Sequence, residues 1–267
     1  MQLQNKTVLI TGGASGIGKI MGRLLLQRGA RLIIWDIDQK KMEQTREEFK
    51  SLGSIQTFRV DLSSPEQIRE NALKIQQEVG TVDLLINNAG IVVGKYFSEH
   101  TGPDILKTME INALAPMYVT SEFLPGMMKQ NSGHICNIAS AAGTVSNPKM
   151  SVYAASKWSV VGWSDSLRIE MKQQGKNIGV TTIMPYYINT GMFDGVHSKL
   201  PVLEPEKTAK TIVRAIERNK KLITLPGYMY RVTRLGQAVM PLGFFDWFAG
   251  DFLGIYKTME HFTGHKK

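Results

Sequence analysis

Tyr153-Ala154-Ala155-Ser156-Lys157 sets a phenol and an amine four residues apart. On a helix that spacing puts both side chains on one face, where they reach the same small volume. The chemistry this allows is proton transfer. A free tyrosine has a pKa of about 10 and is a poor base at neutral pH, but an ammonium beside it favours the phenolate. Ser140, just after the preceding apolar run, could hydrogen-bond a substrate oxygen as charge moves onto it. A Tyr-x-x-x-Lys spacing is common on ordinary helices and carries nothing alone. Its context decides.

That context begins at Thr11-Gly12-Gly13-Ala14-Ser15-Gly16-Ile17-Gly18, between an apolar run and a helical pattern. Glycines there allow a tight turn, a close backbone approach to a pyrophosphate and close helix–strand packing. The following helix would offer unpaired N–H groups and a positive dipole end to phosphates. Gly12, Ser15, Gly16, Ile17 and Gly18 are therefore candidate cofactor contacts. Asp36 closes the second apolar run about 20 residues beyond the turn, where a carboxylate can hold a ribose 2′-hydroxyl. It would repel a 2′-phosphate, which favours NAD over NADP; Lys40 and Lys41 leave room for NADP. Asp61-Leu62 and Asn88-Ala89-Gly90 follow the third and fourth runs, at the edge where open α/β sheets bind ligands.

Seven β-rich runs are predicted at Thr7–Thr11, Arg31–Asp36, Ile55–Asp61, Leu84–Asn87, His134–Ile138, Gly179–Met184 and Leu222–Leu225. Helices are predicted between them at Ile17–Arg28, Gln39–Ser51, Pro65–Val79, Asn112–Met128, Val152–Gln174 and Pro205–Arg218. Ser64-Pro65-Glu66 marks one helix start with a capping residue, a proline and an acid. Strands alternating with helical crossovers imply an α/β chain: a Rossmann-type, doubly wound, parallel seven-stranded sheet with helices on both faces. Residues 1–226 would form this dinucleotide-binding and catalytic domain. Residues 227–267, rich in aromatics, Met and Gly with no clear period, would be a C-terminal extension near the substrate site, a dimer interface or a membrane.

A chain of 267 residues can bury most of its apolar surface without staples. Its single cysteine, Cys136, lies in an apolar run and reads as a buried structural thiol, which points to a reducing, cytoplasmic setting. Thr7–Ile10 already reads as strand, so no signal peptide is expected, and no apolar run reaches membrane-spanning length. The formal charge is +9, and Lys199–Lys267 carries 12 Lys and Arg against 6 Asp and Glu. These basic residues are scattered and no nucleic-acid motif accompanies them, so no nucleic-acid partner is expected. A solvated face comes first, attraction to anionic lipid or an acidic substrate second. The five histidines are dispersed, and no metal is expected.

Taken in order, the glycine turn, Asn87-Asn88-Ala89-Gly90, Ser140 and Tyr153-x-x-x-Lys157 resemble the short-chain dehydrogenase/reductase family, over residues from about 5 to 226. The resemblance implies an NAD(P)-dependent oxidoreductase acting on CH–OH groups. Tyr153 would be the acid/base and Lys157 would hold the ribose hydroxyls. Asn112 would be a fourth catalytic member, holding a water that relays protons to Lys157. It also implies that Asp61 contacts the adenine, that Asn88 supports the central sheet, and that Pro185, Ile188 and Thr190 grip the carboxamide end. The usual glycine after Pro185 is replaced by Tyr186, which alters the pocket wall.

Met184–Phe193, Leu203-Glu204-Pro205 and Phe252–Tyr256 look like the retinol dehydrogenase and 17β-hydroxysteroid dehydrogenase branch, which implies a lipophilic alcohol or carbonyl substrate. An NADP-dependent reductase of small ketones, or a non-catalytic cofactor-sensing or lipid-surface protein, is the alternative. Gly191–Pro201 is expected to form a substrate lid. A homodimer or homotetramer is implied, pairing through the helices that begin near Asn112 and Val152. In the extension, Met240, Leu242, Phe244, Phe245, Trp247, Phe248, Phe252 and Leu253 read first as core or dimer contact. Peripheral contact with a membrane is the second reading, since Asp246 and Asp251 interrupt the apolar face.

Overall fold

A computed structural model of the chain describes residues 1–264. Seven strands form one parallel sheet: β1 (Thr7–Thr11), β2 (Arg31–Asp36), β3 (Ile55–Arg59), β4 (Leu84–Asn87), β5 (Gly133–Ile138), β6 (Ile178–Pro185) and β7 (Leu222–Leu225). Their order is β3-β2-β1-β4-β5-β6-β7. The chain leaves β1 toward one edge, then returns after β3 to build β4 on the other side. That reversal opens a crevice at the carboxyl ends of β1 and β4, the place where such sheets take ligands.

The strands are apolar on both faces because both are covered. Val8, Ile10, Leu32, Ile34 and Ile86 pack on one face with Met21 and Leu25 of α1 (Gly16–Leu26) and Ile212 and Ile216 further along the chain. Leu9, Ile33, Trp35 and Leu85 pack on the other with Ile75, Phe123 and Leu167. Successive residues of one strand thus serve opposite cores, as the pleat requires. The expected doubly wound fold is present.

Helices α2 (Gln39–Phe49) and α3 (Pro65–Glu78) start on side-chain caps: Asp38 accepts from the Lys41 N–H at 3.0 Å and Ser64 from that of Gln67 at 3.2 Å. The helix expected to begin at Asn112 begins earlier. It opens as α4 (Gly102–Met109), passes through a π turn at Glu110–Leu114, and continues as α5 (Ala115–Lys129). Thr101 and Asp104 form a reciprocal capping box with Pro103 in the first turn, which fixes that earlier start. Asn112 is therefore mid-helix, in the π turn. Then come α6 (Ser151–Gln173), after β5, and α7 (Pro205–Glu217), after β6. Glu204 caps α7 by accepting the N–H groups of Glu206 and Lys207, each at 2.7 Å.

Beyond β7 the chain is more ordered than its sequence period suggested. It forms α8 (Met229–Val239), the short α9 (Leu242–Asp246), a π turn at Trp247–Phe252 and a final segment that returns to the residues after β6. Cys136 is fully buried, and burial pushes its thiol pKa up, out of reach of nucleophilic chemistry. Among the described residues no helix is long and apolar enough to cross a membrane.

Candidate active site

A cavity of about 290 Å³ runs along the carboxyl ends of the central strands. One end is the glycine turn. Gly12 adopts φ +64°, a left-handed conformation that disfavours any side chain, and a Cβ on Gly18 would strike the Gly12 carbonyl oxygen. Ser15 stands before α1 without a side-chain cap, so the first-turn N–H groups of α1 lack that partner. Gly12, Ser15, Gly16 and Ile17 line the cavity; Gly18 does not, and lies beneath the turn. Uncapped donors at a helix N-terminus, beside backbone that excludes side chains, make a cradle that fits a dinucleotide pyrophosphate.

Asp36 lines the same end. Its carboxylate accepts from the Ala14 N–H at 3.0 Å and the Asp38 N–H at 3.1 Å, which fixes its orientation. Lys41 also lines the cavity, but its ammonium pairs with Asp38 at 3.1 Å. Asp61 and Leu62 are on the wall; Asp61 accepts from the Ser63 hydroxyl at 2.6 Å and the Ser63 N–H at 2.9 Å, and these bonds lower its pKa. Asn88 ties the end of β4 to the turn by donating to the carbonyls of Thr11 and Gly12, both at 3.0 Å. Ala89 and Gly90 continue that wall.

At the other end Ser140, Tyr153 and Lys157 converge, all buried. Tyr153 and Lys157 open α6, and the Lys157 Nζ lies 5.6 Å from the centre of the Tyr153 ring. That ammonium also donates to the Ile138 carbonyl at 3.1 Å. Burial pushes the Tyr153 pKa up to about 12, with a hydrogen bond from Ser140 pulling the other way. Burial lowers that of Lys157 to about 8. The protein by itself thus holds the phenol neutral, whereas the sequence suggested a pKa lowered by the amine.

Asn112 does not line the cavity but braces it. Its Oδ1 accepts from the Ile91 N–H at 2.8 Å, and its Nδ2 donates to the Ile91 carbonyl at 2.9 Å and to Ser156 Oγ at 3.2 Å. A Cβ on Gly90 would come within 3.2 Å of Asn112 Oδ1 and 3.6 Å of Lys157 Nζ. Pro185, Ile188 and Thr190 close the side between the two ends, with Thr190 directly over Gly16.

The glycine turn, the end of β4 and the Ser140–Tyr153–Lys157 group thus meet in one cavity, and a family model described as short chain dehydrogenase matches residues 6–201. The chain belongs to the short chain dehydrogenase family. As a member it is an NAD(P)-dependent oxidoreductase acting on CH–OH groups. It is similar to epidermal retinol dehydrogenase 2 of Mus musculus, 34% identical across 97% of this chain and 86% of that protein. It is likewise similar to estradiol 17-beta-dehydrogenase 11 of Homo sapiens, 37% identical across 88% of this chain and 79% of the other. Among solved structures, a short chain dehydrogenase/reductase from Burkholderia phymatum in complex with NAD superposes with a TM-score of 0.82, at 25% identity over 89% of this chain and 95% of that one. A metagenomic short-chain oxidoreductase in complex with NADP reaches 0.72 at 26% identity, over 84% and 96%.

The wall near Tyr153 is built from the segment after β6 and from the C-terminal segment. Phe193 stands edge-on to Tyr153 at 6.1 Å and to Tyr187 at 5.0 Å, and Tyr187 lies 4.5 Å from Tyr186. The Tyr186 hydroxyl bonds that of Ser198 at 2.9 Å. The segment Gly191–Pro201 is stitched to the C-terminal segment: His197 N–H donates to the Thr258 carbonyl at 3.1 Å and Thr263 N–H to the Asp194 carbonyl at 2.9 Å. Met259 and Phe262 thereby join Tyr153, Tyr187 and Met150 in one apolar cluster. Only their apolar character was visible in sequence, and it did not say which surface they cover.

Proposed function

We propose that this dehydrogenase interconverts a lipophilic alcohol, primary or secondary, and its carbonyl with NAD(H), using Tyr153 as the acid/base. The observation that carries this is the convergence of Ser140, Tyr153 and Lys157 in a buried end whose wall is aromatic, opposite an end bearing the glycine turn and Asp36. The names of the relatives, a retinol and an estradiol dehydrogenase, agree with such a substrate.

Bound in the cradle, the nicotinamide cofactor supplies the hydride acceptor or donor. Asp36, held by two backbone N–H groups, receives ribose hydroxyls and disfavours a 2′-phosphate. Asp61 would contact the adenine, and Pro185, Ile188 and Thr190 would hold the carboxamide end of the bound cofactor. Ser140 donates to the substrate oxygen. In oxidation Tyr153 Oη takes the hydroxyl proton, and in reduction it returns one. Lys157, protonated at neutral pH, favours the phenolate form and holds ribose hydroxyls. Asn112, its amide committed to Ile91 and Ser156, holds from its π turn a water that relays protons to Lys157. Turnover of a panel of alcohols with NAD and with NADP tests the reading.

Two associations follow from exposed apolar side chains. Val232, Leu235 and Val239 of α8, with Leu242, Phe244, Trp247 and Phe252 beyond it, are all exposed. Arg231 and Arg234 lie on the same helix, and Asp246 is turned inward to accept from Tyr256 Oη at 2.6 Å. This favours docking on an anionic lipid surface, from which a lipophilic substrate would arrive. Leu114, Tyr118, Trp158 and Ile169, on the π turn, α5 and α6, are also exposed and support self-association through those helices.

A further inference from the structure

The last described residues, 252–264, form a strap between two loops that flank Tyr153. On one side is the loop after β4, where Gly94 leaves a notch. A Cβ there would strike the Phe262 ring and come within 3.1 Å of Met259 Cε. On the other side is the lid, residues 191–201, where Gly195 has φ +81° and a Cβ would strike the His261 carbonyl oxygen. Both positions take glycine because the strap passes against their backbone. Phe262 fills the gap between the loops. Its ring lies 6.5 Å from that of Phe193, which in turn lies 6.1 Å from Tyr153.

The lid's hydrogen bonds run mostly to this strap. The Asp194 carbonyl accepts from the Thr263 N–H at 2.9 Å and from the Thr263 hydroxyl at 3.2 Å. The His197 N–H donates to the Thr258 carbonyl at 3.1 Å, and Lys199 to that of Phe252 at 2.9 Å. Apart from these, the lid is bonded to the rest of the described protein through Ser198 and Tyr186. The strap is tied to the loop before α6, where Asn147 donates to Thr258 Oγ1 at 2.8 Å and Lys149 to the Glu260 carbonyl at 3.2 Å. One short segment thus joins all three loops around the substrate end, and Phe262 is the side chain at the seam.

The space inside is small. A single drug-sized ligand ordinarily takes a pocket of about 300–1,000 Å³. The main cavity, at about 290 Å³, has to receive both a dinucleotide and a lipophilic alcohol. Some part of the wall has to give way. The cofactor end is closed by backbone of the sheet and of α1, whereas the substrate end is closed by the strap and lid. Phe262 is only half-buried, and the bonds beside it lie at exposed residues, where local opening is easiest.

We infer that Phe262 is the gate of the substrate end: its ring lifts from the Gly94 notch to admit a bulky alcohol and so limits the width of substrate that turns over. This rests on the proposed oxidation of a lipophilic alcohol and adds the step by which such a molecule enters. The lid alone is not the gate, because it moves only where the strap lets it.

The test gives the full-length protein NAD and a series of primary alcohols of increasing width, from linear to branched and ring-bearing. In Phe262→Ala the kcat/KM of the widest relative to the narrowest is expected to rise by about tenfold. Gly94→Ala, whose added methyl displaces the ring from its notch, should raise the same ratio and add nothing in the Phe262→Ala background. Hydrogen exchange of the cofactor-free protein gives a reading that needs no turnover. Amides of residues 191–201 are expected to exchange about tenfold faster in Phe262→Ala, with those in the middle of α6 unaltered. A ratio that stays or falls in Phe262→Ala overturns the inference. So do additive effects of the two substitutions, unaltered exchange in the lid, or faster exchange that extends through α6. Absence of turnover by wild type counts against the proposed reaction, and the exchange measurement then decides the gate by itself.

Discussion

Lys157 Nζ sits 5.6 Å from the centre of the Tyr153 ring while donating to the Ile138 carbonyl at 3.1 Å. The amine is thus held by β5 and the phenol by α6, and both are buried. Burial opposes charge on each group: it pushes Tyr153 up to about 12 and Lys157 down to about 8. Keeping the Lys157 ammonium charged in that buried site costs stability.

That cost has a pH signature. The unfolded chain keeps a proton on Lys157 up to its ordinary value of 10.5, while the folded chain sheds it near 8. The penalty is full below about pH 8 and fades as pH rises toward 10.5. Tyr153 has the opposite sign, costing stability only above its ordinary value of 10. Lys157→Met removes the amine's penalty at every pH. Urea denaturation of cofactor-free protein should find wild type gaining about 2 to 3 kcal/mol on the variant between about pH 7.5 and about pH 10. A pH-independent difference would rule the buried amine out as the cause.

On the proposed reading, the Asp36 carboxylate, already oriented by Ala14 and Asp38, sets the cofactor preference. Replacing it with alanine should weaken NAD binding and reduce the NAD-over-NADP ratio of kcat/KM by about tenfold or more. An unchanged ratio would mean that Lys41 or the shape of the turn decides.

The face made by Leu235, Leu242 and Trp247 should carry the protein to lipid. Vesicles containing anionic lipid are expected to co-sediment the wild type, and the double variant Leu235→Glu/Leu242→Glu to lose about tenfold in that affinity. Turnover of a water-soluble alcohol should be unaltered. Equal sedimentation of both proteins would remove the lipid-docking reading.

For the helical face, Tyr118 and Trp158 are 41% and 40% exposed, large for aromatic side chains on a lone chain. Sedimentation velocity should give a dimer or tetramer for wild type and a smaller species for Tyr118→Glu/Trp158→Glu. A monomeric wild type at micromolar concentration would contradict self-association there.

The sequence made the sheet legible because each strand is a short apolar run ended by a turn signal, and all seven were found within a few residues. The glycine turn was legible for a related reason: Gly12 and Gly18 stand where backbone must meet backbone, which only glycine allows. The α4 start was missed although Thr101-Gly102-Pro103-Asp104 carries a capping box, because Gly and Pro also mark loops. The meeting of that wall with the C-terminal segment was illegible for a deeper reason. Phe193, Met259 and Phe262 meet Tyr153 only through tertiary folding, with no period or motif to announce it. The burial that pushes the Tyr153 pKa up was not legible either, because spacing reveals a neighbouring amine but not how deeply both groups lie.

The central claim is that Tyr153 moves the proton while an alcohol is oxidised with NAD. Its most direct test is NADH formation by purified protein given NAD and a panel of retinol, steroid, long-chain and short-chain alcohols, with Tyr153→Phe alongside. The account predicts turnover of a lipophilic alcohol that falls by a factor on the order of a hundred or more in the variant, while NAD binding stays within a few-fold. Comparable turnover by wild type and Tyr153→Phe would contradict it.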